Sequence, residues 1–219
     1  MAKVVIFAGG FGSGKSELAL NYALQRSQNT ANLILADLDL VNPYFASRDL
    51  RTYLEARGIR LVAPSGELSF GDVPSIPAEI IGLLRGNDEI IIDLAGDEVG
   101  SRVLGYLSRY IKDSDYQSYL VLNPYRPFAQ DLDSVMALKQ LLEGAAHMPF
   151  TGLISNPNLM GETSLATISA GHEMILSYAR LLQLPIRYLT VEEKFFAALH
   201  NEYGEILQAI SLYLKPDWL

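Results

Sequence analysis

Residues 9–16 have the residue types and spacing of a loop that binds phosphate, G-x-x-x-x-G-K-[ST]. Glycines let successive backbone N–H groups turn inward toward phosphate oxygens. Lys15 can then reach the β- and γ-phosphates of a nucleotide, and the Ser16 hydroxyl can bind Mg²⁺. Because the run lies directly between an apolar strand and a helical segment, we predict a nucleotide site rather than a chance match in a Gly-rich turn. The predicted contacts are Gly9, Gly10, Phe11, Gly12, Ser13, Gly14, Lys15, Ser16 and Glu17.

Asp93 follows the strongly apolar residues 90–92. A carboxylate at the end of a buried strand is placed to hold Mg²⁺, usually through water. With Gly96 it also fits D-x-x-G, in which the glycine N–H senses a γ-phosphate. The alternative is an ordinary strand-end aspartate that caps the helix starting near Asp97. Beside a phosphate loop, the metal-binding role is favoured.

Asp37 and Asp39 end the second predicted strand. We expect these two carboxylates to point to opposite sides, one toward Mg²⁺ or the attacking water and the other orienting a loop. The alternative is a pair of solvated turn residues. Residues 40–48 would then form a switch segment, in which Arg48 either touches phosphate or makes a surface salt bridge.

Asn156 ends a late strand and precedes Pro157. An asparagine side chain offers a donor and an acceptor together and can contact the edge of a purine. Asn123 and Pro124 form a similar pair one strand earlier, and both pairs also suit plain turn chemistry. The sequence has no Asn-Lys-x-Asp string, so the aspartate that usually binds guanine is missing. We therefore predict ATP with Mg²⁺ rather than GTP.

These side chains need a scaffold in which strand ends meet at one edge. Apolar runs with few internal charges alternate with segments of helical spacing, which predicts a parallel sheet with ligands at its carboxyl edge. With no repeat or linker visible, we predict one domain, residues 1–219, a three-layer α/β/α P-loop NTPase domain around a mainly parallel sheet of roughly seven strands. The predicted strands are 4–8, 32–36, 59–63, 89–94, 119–122, 150–155 and 186–191, and the predicted helices are 17–26, 45–57, 77–85, 99–111, 132–142, 162–183 and 192–214. For the last helix, a continuous helix and one broken near Gly204 are both open.

Composition excludes several function classes. The 219 residues contain no cysteine, which excludes a disulfide framework, a thiolate zinc site and a Cys-ligated iron–sulfur cluster. A net charge of −8 weighs against non-specific nucleic-acid binding. No apolar run reaches the roughly 18 residues of a membrane span, and residues 4–8 are too short a run for a signal peptide. We expect a cytoplasmic protein whose histidines pack or face solvent.

Taken together, the motifs resemble those of the deviant P-loop class that includes MinD, ParA, the nitrogenase iron protein and the CobQ/CobB nucleotide-binding domains. The resemblance runs over nearly the whole chain, but only the phosphate loop is specific by itself. Residues 184–193 are similar to the last strand and base-side loop of that class. The other shared elements, in order, are residues 9–16, 37–39, 93–96 and Asn156.

The resemblance implies an ATPase in which Asp39 positions the hydrolytic water or the metal shell and Asp93 supports Mg²⁺. It also implies that Asn156, Pro157 and a loop near Val191 flank adenine. Such proteins often work as nucleotide-driven homodimers that load or switch a partner protein. The resulting hypothesis is a Mg-dependent ATPase switch; the alternatives are an ATP-dependent small-molecule kinase or ligase and an ATP sensor that does not hydrolyse.

Three departures from the class limit that hypothesis. MinD and ParA carry a lysine that reaches across their dimer, and Gly10 stands at its position here. The cluster-binding relatives use cysteines, which this chain lacks. Residues 208–219 hold a single basic residue, Lys215, so we expect no basic membrane anchor of the MinD type.

Overall fold

The chain folds around one eight-stranded sheet in a computed structural model that describes residues 3–39, 51–63, 76–77 and 79–214. Every neighbouring pair of strands is parallel. The predicted parallel α/β architecture is confirmed, with eight strands rather than roughly seven. The strands are β1 (Lys3–Gly9), β2 (Leu33–Leu38), β3 (Ile59–Val62), β4 (Glu89–Ala95), β5 (Asp115–Leu122), β6 (Gly152–Ser155), β7 (Ile186–Glu192) and β8 (Leu207–Ile210).

Helices connect the strands and lie on both faces of the sheet. Short 3-10 helices occur at Pro127–Ala129, Met160–Glu162 and Gly204–Ile206. Among the described residues, no helix has the length and apolar character needed to span a membrane. The α-helices are α1 (Lys15–Ser27), α2 (Arg51–Glu55), α3 (Glu79–Leu84), α4 (Glu98–Ile111), α5 (Leu132–Ala146), α6 (Leu165–Leu182) and α7 (Glu193–Tyr203).

The strand order β3-β2-β4-β1-β5-β6-β7-β8 places β1 between β4 and β5. The chain builds one side of the sheet from β1 to β4 and then crosses to β5 on the other side. In open parallel sheets, ligands bind where the strand order reverses, at the carboxyl ends of the strands. The turn from β1 to α1, residues 9–16, lies at this position.

The alternation of side chains along β1 divides the core into two layers. Val4 and Ile6 belong to the layer covered by α3, α4, α5 and α6, whereas Val5 and Phe7 belong to the layer covered by α1 and α2. A third cluster joins α6, β7, α7 and β8. Since both faces of β1 are buried, its run of apolar residues is continuous.

The far end of α1 is fixed to the sheet by an ion pair. Arg26 Nε and a terminal guanidinium nitrogen bind the two carboxylate oxygens of Glu89, at 2.8 and 2.7 Å. Bidentate pairs of this kind hold geometry as well as charge. The helix therefore presents its first turn to the carboxyl edge from a fixed position.

The predicted closing helix over 192–214 is broken near Gly204, which is one of the two alternatives, and its second half is not helical. Helix α7 ends at Tyr203, Gly204 has φ +56, and Leu207–Ile210 form β8 beside β7. A short apolar run is not distinguishable from a helix by periodicity, and only pairing with β7 decides its conformation.

Other boundaries differ by less. Strand β5 begins at Asp115 rather than 119. Helix α6 begins at Leu165 rather than 162, because Ser164 and Thr167 form a capping box there. Three sequence predictions lie wholly or mostly outside the described residues. They are the switch segment 40–48, the loop that three prolines and two glycines in residues 64–77 predict, and the part of residues 208–219 beyond 214.

Candidate nucleotide-binding site

The loop of residues 9–16 leads from β1 directly into α1. Gly14 is the N-cap of α1 with φ +88, a conformation that favours glycine. A Cβ at this position would also collide with the Asn156 side-chain amide. No side chain caps the helix, so its first N–H groups are available to an anion, which the helix dipole also favours.

Lys15 is the first residue of α1 and is buried beside two aspartates. Its Nζ lies 2.7 Å from Asp39 Oδ2, and the two side chains are only 9% and 6% exposed. Burial by itself lowers the pKa of Lys15, but the charges of Asp93 and Asp39 outweigh it and raise the pKa above its usual value. Lys15 is therefore a permanent cation at the loop.

Asp93 lies in β4, fully buried next to the loop. Neither carboxylate oxygen has a hydrogen-bond partner among the described residues. Burial raises the pKa of Asp93 to about 6. The Lys15 charge and the nearby Ser16 hydroxyl act in the opposite direction, although the hydroxyl does not reach hydrogen-bond geometry. A buried carboxylate with unused oxygens requires a cation, a donor or a water molecule that the described side chains do not supply.

Asp37 and Asp39 do not diverge as expected. The Asp39 N–H donates to Asp37 Oδ1 at 3.3 Å, and both charges act on Lys15. Side chains two residues apart along a strand share a face, which is why the prediction of opposite sides is wrong. Asp37 is also aligned with Asp93 across β2 and β4. The three aspartates thus lie around one lysine.

Gly96 approaches the phosphate loop too closely to carry a side chain. A Cβ there would overlap Gly9 O and lie 2.7 Å from Gly10 N. The predicted glycine of D-x-x-G therefore borders the loop. The capping role considered for Asp93 belongs to Asp97, whose Oδ1 accepts from Gly100 N at 2.8 Å at the start of α4.

Asn156 is hydrogen-bonded to the backbone of the phosphate loop. Its Nδ2 donates to Ser13 O at 2.8 Å, and its Oδ1 accepts from the Thr190 hydroxyl at 2.9 Å. The side chain is buried, with one amide hydrogen left beyond these two bonds. Base contact stays a prediction; the contact that the structure shows is with the phosphate loop.

Asn123 has the turn role considered for it. Its Nδ2 donates to Asn158 O at 2.8 Å, and its Oδ1 accepts from Tyr125 N at 3.1 Å. These bonds connect the loops that follow β5 and β6.

Three predicted contact residues have other surroundings. Val191 lies within β7, as the predicted strand 186–191 has it, and its side chain is buried in the third core cluster, while the adenine contact of a nearby loop stays a prediction. Pro157 is buried against α6, so close to Gly171 that a Cβ added to that glycine would collide with it. The Glu17 carboxylate accepts from Tyr213 N and Leu214 N at 2.7 and 3.0 Å, which attaches the C-terminal segment to α1.

Two residues near the loop were missed by sequence reasoning. Phe128 packs over Gly10, where a Cβ would lie 2.5 Å from Phe128 Cβ. Arg126 packs beside Gly12, with 3.2 Å from a Cβ there to Arg126 Cδ. The available signal was a cation three residues after Asn123, at the carboxyl end of β5. Phe11 projects from the loop and is largely exposed.

The residues present fit a bound Mg²⁺. No group of three or more His, Cys, Asp or Glu side chains suited to a metal ion occurs in the described parts of the chain. Mg²⁺ is usually held by one or two carboxylates, water and substrate phosphates rather than by a complete protein cage. The unpartnered oxygens of Asp93, with Ser16 nearby, match that donor set. Asp37 and Asp39, the other predicted metal residues, lie within the same cluster of charge.

Solved structures that share the fold include three FtsY proteins. Cell division protein FtsY from Thermotoga maritima is 20% identical with a TM-score of 0.58, and the match covers 86% of this chain and 61% of that one. FtsY from Mycoplasma mycoides is 17% identical with a TM-score of 0.55, and the match covers 85% of this chain and 60% of that one. The signal recognition particle receptor FtsY from Elizabethkingia anophelis is 19% identical with a TM-score of 0.54, and the match covers 84% of this chain and 57% of that one.

The likeness to the FtsY structures shows a P-loop NTPase-like α/β fold. The chain spans about three fifths of the length of each of those proteins, at 61, 60 and 57%. No family model and no curated protein sequence matches the chain. The resemblance to MinD and ParA stays a prediction.

Proposed function

We propose that the chain is a Mg-dependent ATPase that acts as a nucleotide switch for a partner protein. The observation that carries this proposal is the buried Lys15–Asp39 pair at 2.7 Å, beside the Asp93 carboxylate, whose oxygens have no hydrogen-bond partner in the described parts of the chain. A lysine and carboxylates collected under a glycine-rich loop suit a magnesium-bound polyphosphate. The lack of an Asn-Lys-x-Asp string supports ATP over GTP.

Each group has a role in this proposal. Lys15 would exchange Asp39 for the β- and γ-phosphate oxygens, which frees Asp39 to orient the attacking water. Asp93 and Ser16 would hold Mg²⁺ through its water shell, with Asp37 beside them. When bound, Mg²⁺ neutralises charge that develops on the phosphate oxygens. Asp39 immediately precedes residues 40–48 in the sequence. Release of Asp39 from Lys15 on nucleotide binding would therefore affect that segment, and through it the binding of a protein partner or a second copy.

The test is titration with ATP, ADP and GTP in Mg²⁺, followed by phosphate release with no added acceptor. We expect ATP binding, weaker GTP binding and slow release of phosphate. Asp39→Ala should retain ATP but hydrolyse it at least about tenfold more slowly, since it loses the group that orients water. Asp113→Ala, at an exposed aspartate after α4, is the matched control. Unchanged turnover in Asp39→Ala would remove Asp39 from the mechanism.

An ATP-dependent kinase or ligase is the second candidate, and Gly10 favours it. Phe128 occupies the space beside Gly10, so a lysine reaching across a dimer has no room at this position without a shift of the ring. ATP binding without phosphate release, followed by turnover when a small-molecule acceptor is supplied, would select this candidate over the switch.

A further inference from the structure

Arg126 lies beside the phosphate loop, yet the proposed mechanism does not use it. It belongs to the turn after β5, where its backbone N–H donates to the backbone oxygen of Asn123 at 3.0 Å. Its side chain runs along Gly12, and a Cβ on that glycine would be 3.2 Å from Arg126 Cδ and 3.4 Å from Nε. A larger residue at position 12 would therefore press on the arginine.

The Arg126 side chain is half-buried, and one nitrogen of its guanidinium group lacks the hydrogen-bond partner that its burial requires. Arg126 Nε is buried and makes no hydrogen bond with any described residue. None of the ion pairs among the described residues includes Arg126. An unsatisfied buried N–H on a charged group costs free energy, so the geometry indicates an acceptor that comes from outside the chain.

The charges around the loop favour a phosphate as that acceptor. Lys15 already has Asp39 as its counter-ion, whereas Arg126 has none among the described residues. An arginine presents a planar set of donors that can bind two phosphate oxygens together. The same turn places Phe128 over Gly10, so Arg126 and Phe128 together border residues 10–12.

We propose that Arg126 binds the terminal phosphate of a nucleoside triphosphate held by residues 9–16, an inference that rests on the proposed nucleotide site. Arg126 belongs to the same chain as the loop and needs no second copy. Because the contact is to the terminal phosphate, it strengthens binding of the triphosphate over the diphosphate.

The test measures the dissociation constants of ATP and ADP with Mg²⁺ for the wild type, Arg126→Gln and Arg126→Lys. We expect Arg126→Gln to weaken ATP binding about tenfold and ADP binding about twofold or less, as loss of one charge-assisted contact implies. Arg126→Lys should retain most of the preference for ATP. Arg180→Gln, at an exposed arginine in the last turn of α6, should match the wild type.

Two results would overturn this assignment. Unchanged ATP affinity in Arg126→Gln would show that the guanidinium does not reach the nucleotide. An equal loss for ATP and ADP, with a lower melting temperature, would show that Arg126 only packs the loop. If the wild type binds neither nucleotide, the proposed function itself fails and the role of Arg126 fails with it.

Discussion

The carboxyl ends of β4 and β6 both carry buried polar side chains next to the phosphate loop. On the β4 side, Asp93 is buried with both carboxylate oxygens unpartnered among the described residues. On the β6 side, Asn156 donates to Ser13 O and accepts from Thr190. The satisfied amide fixes the shape of the loop, whereas the unsatisfied carboxylate costs free energy until a ligand arrives. The β6 side therefore positions the phosphate loop, and the β4 side binds the ligand.

The largest effect should come from Lys15→Ala, which removes the cation of the ligand-binding side. We expect ATP affinity to fall at least about 100-fold, because charge-assisted bonds to phosphate contribute roughly 3 kcal/mol. Isothermal titration with Mg²⁺ measures this. The control is Lys194→Ala, at an exposed lysine paired with Glu192. Near-normal affinity in Lys15→Ala would contradict the proposed nucleotide site.

Asn156→Ala tests the positioning side. It removes the donor to Ser13 O and leaves the Thr190 hydroxyl with only its longer bond to Ser155 O, at 3.3 Å. We therefore expect a loss of about 1–3 kcal/mol in the free energy of unfolding, measured in urea. Affinities for ATP and GTP should fall together. Asn123→Ala removes a similar buried amide that contacts Asn158 O instead, and it should lose stability while retaining affinity. A selective loss of ATP binding in Asn156→Ala would instead favour a base contact.

Asp93→Asn should separate stability from ligand binding. Without the buried charge, we expect the ligand-free protein to gain about 1 kcal/mol of stability, as seen when strained functional groups are neutralised. The dependence of ATP binding on Mg²⁺ should become weaker. Thermal unfolding with and without Mg²⁺ and ATP measures both effects, with Asp113→Asn as the exposed control. A less stable Asp93→Asn protein would mean that this carboxylate stabilises the fold.

The smallest effect concerns His172, which lies on the β6 side and contacts Ser155 Oγ at 3.0 Å through Nδ1. Burial lowers the pKa of His172 below 6.5, despite the nearby Glu173 and Glu202. The unfolded chain therefore binds a proton near pH 6.5 that the folded chain resists, and the contribution of His172 to stability should fall as the pH drops below about 6.5.

Urea unfolding at about pH 7.5 and about pH 5.5 tests this dependence. Asp93, whose raised pKa of about 6 gives a dependence of opposite sign over the same range, is removed by making both comparisons in the Asp93→Asn background. In that background His172→Gln should flatten the slope, whereas His147→Asn, at an exposed position, should leave it unchanged. A slope that persists in His172→Gln would assign the proton to another group.

Local patterns in the sequence predicted much of the ligand-binding side. The loop of residues 9–16, the alternation of strands and helices and the aspartates at strand ends all follow from neighbouring residues, because turns, caps and hydrophobic periods act over a few positions. The approach of Lys15, Asp93 and the end of β2 follows from the rule that parallel strands end at one edge, whereas the common side of Asp37 and Asp39 was not predicted.

Tertiary structure alone decided which distant groups meet. Leu207–Ile210 became β8 because β7 offered a free edge, and Val191 was enclosed in the core by α6 and α7. Arg126 reached Gly12, and Asn156 reached Ser13, across more than 100 positions of the chain. Such pairings depend on the order of strands in the sheet, which no local pattern encodes.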